Sequence, residues 1–204
     1  VTSTTPESRD YSLRPAALAD APALARLHVQ TLPGEQSDLT LLGARLVRHF
    51  YANAIARRTV WVHVAEERGE LLGLVVVTRD IGSMFPRSLL AGPRDVLAFL
   101  VRSSPLGLLR ATIAKLASGT ARVPAVPELV YLGVSARARG RGVGAALMEA
   151  AHSEFRRQGI AAYQLHVHAD NAPAVRLYLA HGLEEARRFR KGGREMLNMR
   201  KRLD

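Results

Sequence analysis

Glycine recurs at every second position in Arg139-Gly140-Arg141-Gly142-Val143-Gly144, between an apolar run and a long stretch of helical periodicity. Glycines at a helix start let the backbone come close to a bound group. The unpaired N–H groups of the first turn then point at that group. The chemistry this suits is the holding of a phosphate, and Arg139 and Arg141 add positive charge beside it. Two phosphate-binding patterns do not fit. The P-loop needs Gly-Lys followed by Ser or Thr, which the chain lacks. The dinucleotide pattern G-x-G-x-x-[GA] is formally met by Gly140, Gly142 and Ala145. Its first glycine should follow the strand directly, yet Ser135 to Arg139 intervene. It also wants an acid about 20 positions on, where Ile160 to Leu165 offer none.

Other reactive residue types lead less far. His166 and His168 alternate along one strand with Asp170 nearby, but no third and fourth ligand recur at useful spacing. They read as strand histidines with satisfied rings, and no metal is expected. His181 beside Gly182 reads as a cation at a helix C-terminus. Ser135 has no histidine–carboxylate set near it and reads as a turn residue. There is no cysteine, which removes disulfides, thiolate metal sites and a cysteinyl acyl-enzyme.

The elements that must position the loop can be read from periodicity and punctuation. Tyr11 to Arg14 is a first strand. Asp20 is the expected N-cap for a helix reaching about His28. A loop covers Leu32 to Leu39, and a second helix Leu41 to Arg57, with Leu42, Leu46, Phe50 and Ala54 at spacing four. Val60 to Ala65 and Leu71 to Thr78 form a hairpin. Residues 80–127 carry five prolines and two helical patterns, too much for a structureless loop, and read as a helical insertion. The rest is regular: a strand Leu129 to Val134, a helix Gly142 to Arg157, a strand Ala162 to Val167 and a helix Asn171 to His181. A closing pair spans Leu183 to Phe189 and Met196 to Arg200. Gly133 interrupts a β-branched and aromatic strand, which marks a bulge or a close approach by another group.

The 204 residues suit one domain with a full core, running from 11 to 204 after a disordered lead-in at 1–10. An apolar fraction of 48% with 23% charged residues is that of a soluble globular protein. The first residues hold no apolar signal core, and no run is long and apolar enough to span a membrane. Together with the missing cysteine, this points to the cytoplasm. The net charge of +11 invites a nucleic-acid reading. Yet the basic residues are nearly all arginine and spread along the chain, apart from a cluster at Arg187 to Arg202 in which Phe189 is the one aromatic. A solvated basic face, or attraction of a polyanionic cofactor, serves as well.

A third glycine pattern, [QR]-x-x-G-x-[GA], is filled by Arg139, Gly142 and Gly144. It sits after the strand VYLGV and before the strand QLHV. Then comes N-x-x-A-x-x-L-Y-x-x-x-G in Asn171, Ala174, Leu177, Tyr178 and Gly182. In these motifs the chain resembles the GCN5-related N-acetyltransferases, the GNAT superfamily, over residues 10–80 and 128–202. The resemblance implies an α/β fold: a mixed, mostly antiparallel twisted sheet with helices on both faces and a splayed central strand pair. It implies acetyl or short acyl transfer from acetyl-CoA to a primary amine by direct attack in a ternary complex. The amides of Arg139, Gly140, Arg141, Gly142, Val143, Gly144 and Ala145 would wrap the pyrophosphate. Backbone groups of Leu132 and Val134, either side of Gly133, would hold the pantetheine arm, and the Val134 N–H would polarise the thioester carbonyl. Asn171 would cap its helix or bond the arm, with Ala174 close by. Tyr178 would be the acid that protonates the leaving thiolate. Glu128, eleven residues before Arg139, would be the base for the amine.

The acceptor would enter opposite CoA, beside the loop Leu32 to Leu39, where Glu35 and Asp38 can attract a cation. The insertion would cap that pocket, join two subunits in a homodimer, dock a partner or, through Arg102, Arg110 and Lys115, touch a membrane surface. Two other readings stay open: a CoA-binding regulatory module without catalysis, and a basic nucleic-acid-binding domain.

Overall fold

The structure, a computed structural model, describes residues 10–34, 37, 39–82, 84 and 126–203. The lead-in apart from Asp10, almost all of the expected insertion, and both Glu35 and Asp38 lie outside the described residues. The chain runs β1 (Ser12–Pro15), α1 (Ala21–Thr31), α2 (Ala44–Ala56), β2 (Trp61–Glu67), β3 (Glu70–Thr78), β4 (Glu128–Val134), α3 (Val143–Arg157), β5 (Ala162–His168), α4 (Ala172–Ala180), β6 (Glu184–Lys191) and β7 (Arg194–Arg202). The seven strands form one sheet in the order β1-β2-β3-β4-β5-β7-β6. All neighbours are antiparallel except β4 and β5. This is the mixed, mostly antiparallel α/β architecture expected from the motifs.

Alternation along the strands sorts side chains onto two faces. Val62, Val64, Leu74, Val76 and Tyr131 pack beneath α1 and α2, with Leu24, Phe50 and Tyr51 fully buried. Val75, Val77, Leu129, Leu165 and Val167 pack beneath α3, whose Leu147, Met148 and Phe155 are fully buried. Tyr178 of α4 joins this second core.

Asp20 stands at the N-cap position of α1, as expected, but its side chain does not cap that helix. Asp20 lies in a 3₁₀ turn and makes no side-chain bond to the start of α1. Its carboxylate instead reaches back to the N–H of Ala17 at 2.7 Å and pairs with Arg14 at 2.6 Å. That guanidinium holds the Asp20 carboxyl below its ordinary range. Asp20 is the third residue of the 3₁₀ turn that Ala17 opens, so its carboxylate reaches back to the first free N–H of that turn.

The central feature is how β4 leaves β5. The two pair where Glu128 stands opposite Gln164, and the Gln164 N–H bonds the carbonyl of Pro127 at 3.0 Å. Beyond that point no ladder pair joins them among the described residues. Opposite β3 the register slips: Val76 faces Tyr131 while Val77 faces Leu129, leaving Val130 as an extra residue. A bulge bends and twists its strand, and this one lies just past the last contact with β5. Thus the bulge sits at Val130, not at Gly133. The space left at Gly133 is used from above by α1, because a Cβ there would collide with the Thr31 hydroxyl.

Candidate active site

A cleft of about 730 Å³ opens where β4 and β5 part. Its lining reaches both faces of the sheet: the glycine loop and α4 on the α3 side, and Gln30 to Pro33, His166 and His168 on the α1 side.

On the first side, Gly142 takes φ 76° and ψ 0° and immediately precedes α3. Gly140 also has a positive φ, 75°, with nothing within 4 Å of where a Cβ would be. Left-handed backbone at these two points turns the chain into the helix, which residues other than glycine do only at a cost of about 1–2 kcal/mol. The first helical bond runs from the Ala146 N–H to the Gly142 carbonyl at 3.0 Å. The N–H groups of Val143, Gly144 and Ala145 precede it and have no carbonyl within the helix to bond. No side chain caps them. They line the cleft as a cluster of aligned donors at the positive end of the helix dipole. Gly144 is needed for packing as well: a Cβ there would stand 3.3 Å from Leu177 of α4.

The arginines around the loop separate. Arg141 is engaged by Glu67 of β2, whose carboxyl it holds down, and Arg137 by Glu70. Neither lines the cleft, but Arg139 does, and its side chain makes no ion pair among the described residues. The site therefore offers one free guanidinium and several backbone donors, a set that fits a diphosphate.

Along the parted edge, alternation decides which backbone groups face the gap. The Ser135 N–H bonds Leu72 of β3 at 2.8 Å, and the Gly133 carbonyl also points toward β3. The N–H and C=O of Leu132 and Val134 therefore point the other way, toward β5, where nothing in the ladder takes them. A chain-like ligand in the gap can use them as a missing strand would.

Tyr178 lines the cleft from α4 and is 7% exposed. Burial pushes its phenol up to about 12, so it stays protonated at neutral pH and can donate. Asn171 accepts from the Ala174 N–H at 3.4 Å, capping α4, and both residues line the cleft. Ser135 precedes a short 3₁₀ turn, caps nothing and stays outside the lining.

Glu128 is placed differently. Its side chain is 9% exposed and it does not reach the cleft wall. His166 stands between, with Nδ1 at 3.2 Å from Glu128 Oε1. Sequence reasoning read His166 only as a satisfied strand residue. The signal that it belongs to the site was its parity with Gln164, the residue that faces Glu128 across β4 and β5. No group of three or more metal-ligating side chains suited to an ion occurs among the described residues. None of their helices is long and apolar enough to cross a membrane.

An α/β sheet that parts beside a donor-rich helix start defines a class by its geometry: a crevice between two strands with unpaired main-chain nitrogens at its rim. The family model for the acetyltransferase (GNAT) family matches residues 35–183, and the chain belongs to that family. Acetyl-CoA is the family's cosubstrate. Among curated proteins, a mycothiol acetyltransferase from Arthrobacter sp. (strain FB24) is 36% identical over 85 residues, which is 41% of this chain and 26% of that protein. The match thus spans under a third of that relative's length. Among solved structures, an N-acetyltransferase from Staphylococcus aureus Mu50 superposes with a TM-score of 0.65 at 14% identity, covering 95% of this chain and 99% of that one. A putative acetyltransferase from Salmonella typhimurium, solved with its cofactor acetyl-CoA, gives 0.61 at 17% identity over 96% and 95%. These two likenesses concern the fold.

Proposed function

We propose that this protein transfers the acetyl group of acetyl-CoA to a primary amine by direct attack within a ternary complex. The observation that carries the reading is the continuity of one path. Free amides at Val143 to Ala145 lead into a gap edged by Leu132 and Val134, and that gap ends beside a protonated phenol at Tyr178. In this reading the loop from Arg139 to Ala145 grips the pyrophosphate, with Arg139 supplying charge. The backbone of Leu132 and Val134 holds the pantetheine arm, and the Val134 N–H polarises the thioester carbonyl. Asn171 and Ala174 border the arm. Tyr178 gives its proton to the departing thiolate, and Glu128 serves the amine's deprotonation from the opposite side.

Three features support the amine and the direct route. The site has donors suited to an oxyanion and to a thiolate. The chain has no cysteine to carry an acyl group. On the α1 side the His166 imidazole lines the cleft, with the Glu128 carboxylate paired behind it. The test is thiol release from acetyl-CoA over a panel of small amines, aminoglycosides, peptide N-termini and lysine peptides, with Tyr178→Phe as the control. Acetyl-CoA binding without release on any amine would instead indicate a regulatory module.

A further inference from the structure

We propose that His166 is the group that receives the amine's proton, and that Glu128 is a positioning residue behind it. This rests on the acetyl-transfer reading above and assigns the proton acceptor within it. Four side chains close a hydrogen-bonded ring on the α1-side face of the sheet. His166 Nδ1 meets Glu128 Oε1 at 3.2 Å, and Gln164 Nε2 donates to Glu128 Oε2 at 3.3 Å. Asn198 Nδ2 donates to Gln164 Oε1 at 3.1 Å and lies 3.0 Å from His166 Nε2.

The roles around this ring are mutually determined. An ionised carboxylate only accepts, so Nδ1 carries the imidazole proton and donates it to Glu128. An amide NH₂ only donates, so Nε2 is bare and accepts from Asn198. Turning the Asn198 amide over would set its oxygen against Gln164 Oε1, and turning Gln164 would set its oxygen against Glu128. One assignment of donors and acceptors therefore satisfies every member, with donation leaving Asn198 along both arms of the ring and ending on Glu128. An imidazole with Nδ1–H on a carboxylate and a bare Nε2 is oriented as a base, and the carboxylate stabilises the imidazolium that forms.

Exposure separates the partners. The His166 side chain is 34% exposed and lines the cleft, while that of Glu128 is 9% exposed and does not. The Asn198 amide also bonds Gln164, so an incoming amine can take its place at Nε2 without stripping it of partners. The proton moves from the ammonium nitrogen to Nε2, and the freed lone pair attacks the thioester carbonyl. The thiolate leaves with the Tyr178 proton, the second proton of the attacking nitrogen passes to the Tyr178 phenolate as the amide forms, and the imidazolium returns its own to water. Other charged groups share this face. Arg187 lies over the Phe189 ring, which meets His166 edge-on at 5.5 Å. Arg200 stands opposite Gln164 and Glu184 in the ladder, and His168 follows along β5. Glu128 is the acid in direct contact with the ring.

The experiment has two arms. Long-range ¹⁵N correlation of the histidine rings in the wild-type protein should show His166 protonated at Nδ1 near neutral pH, with that preference lost in Glu128→Gln. Steady-state kinetics with the best amine should show His166→Gln lowering kcat by roughly 10²-fold at pH 7, with acetyl-CoA affinity held within about threefold. The loss should shrink as pH approaches the amine's own value near 10.4, because solvent then removes the proton. A merely structural histidine would show no such recovery. A His166 proton on Nε2, or a His166→Gln enzyme with the wild-type pH profile, overturns the inference and leaves acetyl transfer standing. A wild-type protein that binds acetyl-CoA but releases no thiol with any amine overturns both. Should His166→Gln fail to fold, the ¹⁵N arm on wild type and Glu128→Gln still decides.

Discussion

The hydroxyl of Thr31, in the last turn of α1, stands where a side chain on Gly133 of β4 would have to be. The hydroxyl also bonds the Leu27 carbonyl at 2.7 Å, so it is held in place. This contact sets the distance between the α1–α2 layer and the strand that edges the cleft. Gly133→Ala should cost about 1–3 kcal/mol by overpacking. Chemical denaturation checks this, and adding Thr31→Ala should recover part of the loss.

Arg139 and Arg141 look equivalent in the sequence but should differ in solution. Arg139→Ala should weaken acetyl-CoA binding about tenfold, near 1.4 kcal/mol for a charge-assisted contact. Arg141→Ala should change it by less than about threefold, since that guanidinium serves Glu67 at an exposed pair of small worth. Titration calorimetry at two salt concentrations separates the two.

Gly142→Ala places a side chain at φ 76°. The strain of about 1–2 kcal/mol should appear as a lower melting temperature. It should also weaken acetyl-CoA binding, because the amides of the next three residues no longer share one direction.

Tyr178→Phe should lower kcat by roughly 10²-fold as a lost general acid, with acetyl-CoA affinity nearly unchanged. Burial holds the wild-type phenol near 12, so its ionisation should produce no basic limb in the rate profile below about pH 10. A limb at pH 8 that vanishes in Tyr178→Phe would contradict this.

Stability should fall as pH drops from about 6.5 to 4. His28, between Tyr51 at 2.7 Å and Ser37 at 2.8 Å, is pushed down to about 4 by burial. His152, bonded to Tyr163 at 2.8 Å, is pushed down to about 4 by the same cause. In that window the unfolded chain binds protons these rings refuse in the fold, so unfolding gains. Below it, carboxyls held down by ion pairs, Asp20 and Glu154, add their own loss. Urea midpoints across pH 4–7 check the window, and His28→Gln should flatten the slope.

What was legible in the chain was local. Gly140, Gly142 and Gly144 announce a turn into a helix because left-handed backbone and close packing each demand glycine within a few residues. The strands and helices of the described part follow from periods of two and 3.6, and their ends moved by less than a turn. The order of those motifs along the chain was enough to identify the family.

Tertiary structure decided which residues meet. The use of Gly133 depends on Thr31, the charge of Arg141 on Glu67, and the position of Glu128 on His166, Gln164 and Asn198. These partners lie on other elements, and strand order and register select them. A bulge at Val130 shifts that register by one residue, and no residue type there announces it. Spacing along a chain specifies backbone conformation, because those forces act between near neighbours. Hydrogen-bond partners across a sheet exist only after the strands have found their order, so the ring that joins Glu128 to His166, Gln164 and Asn198 became visible only in the fold.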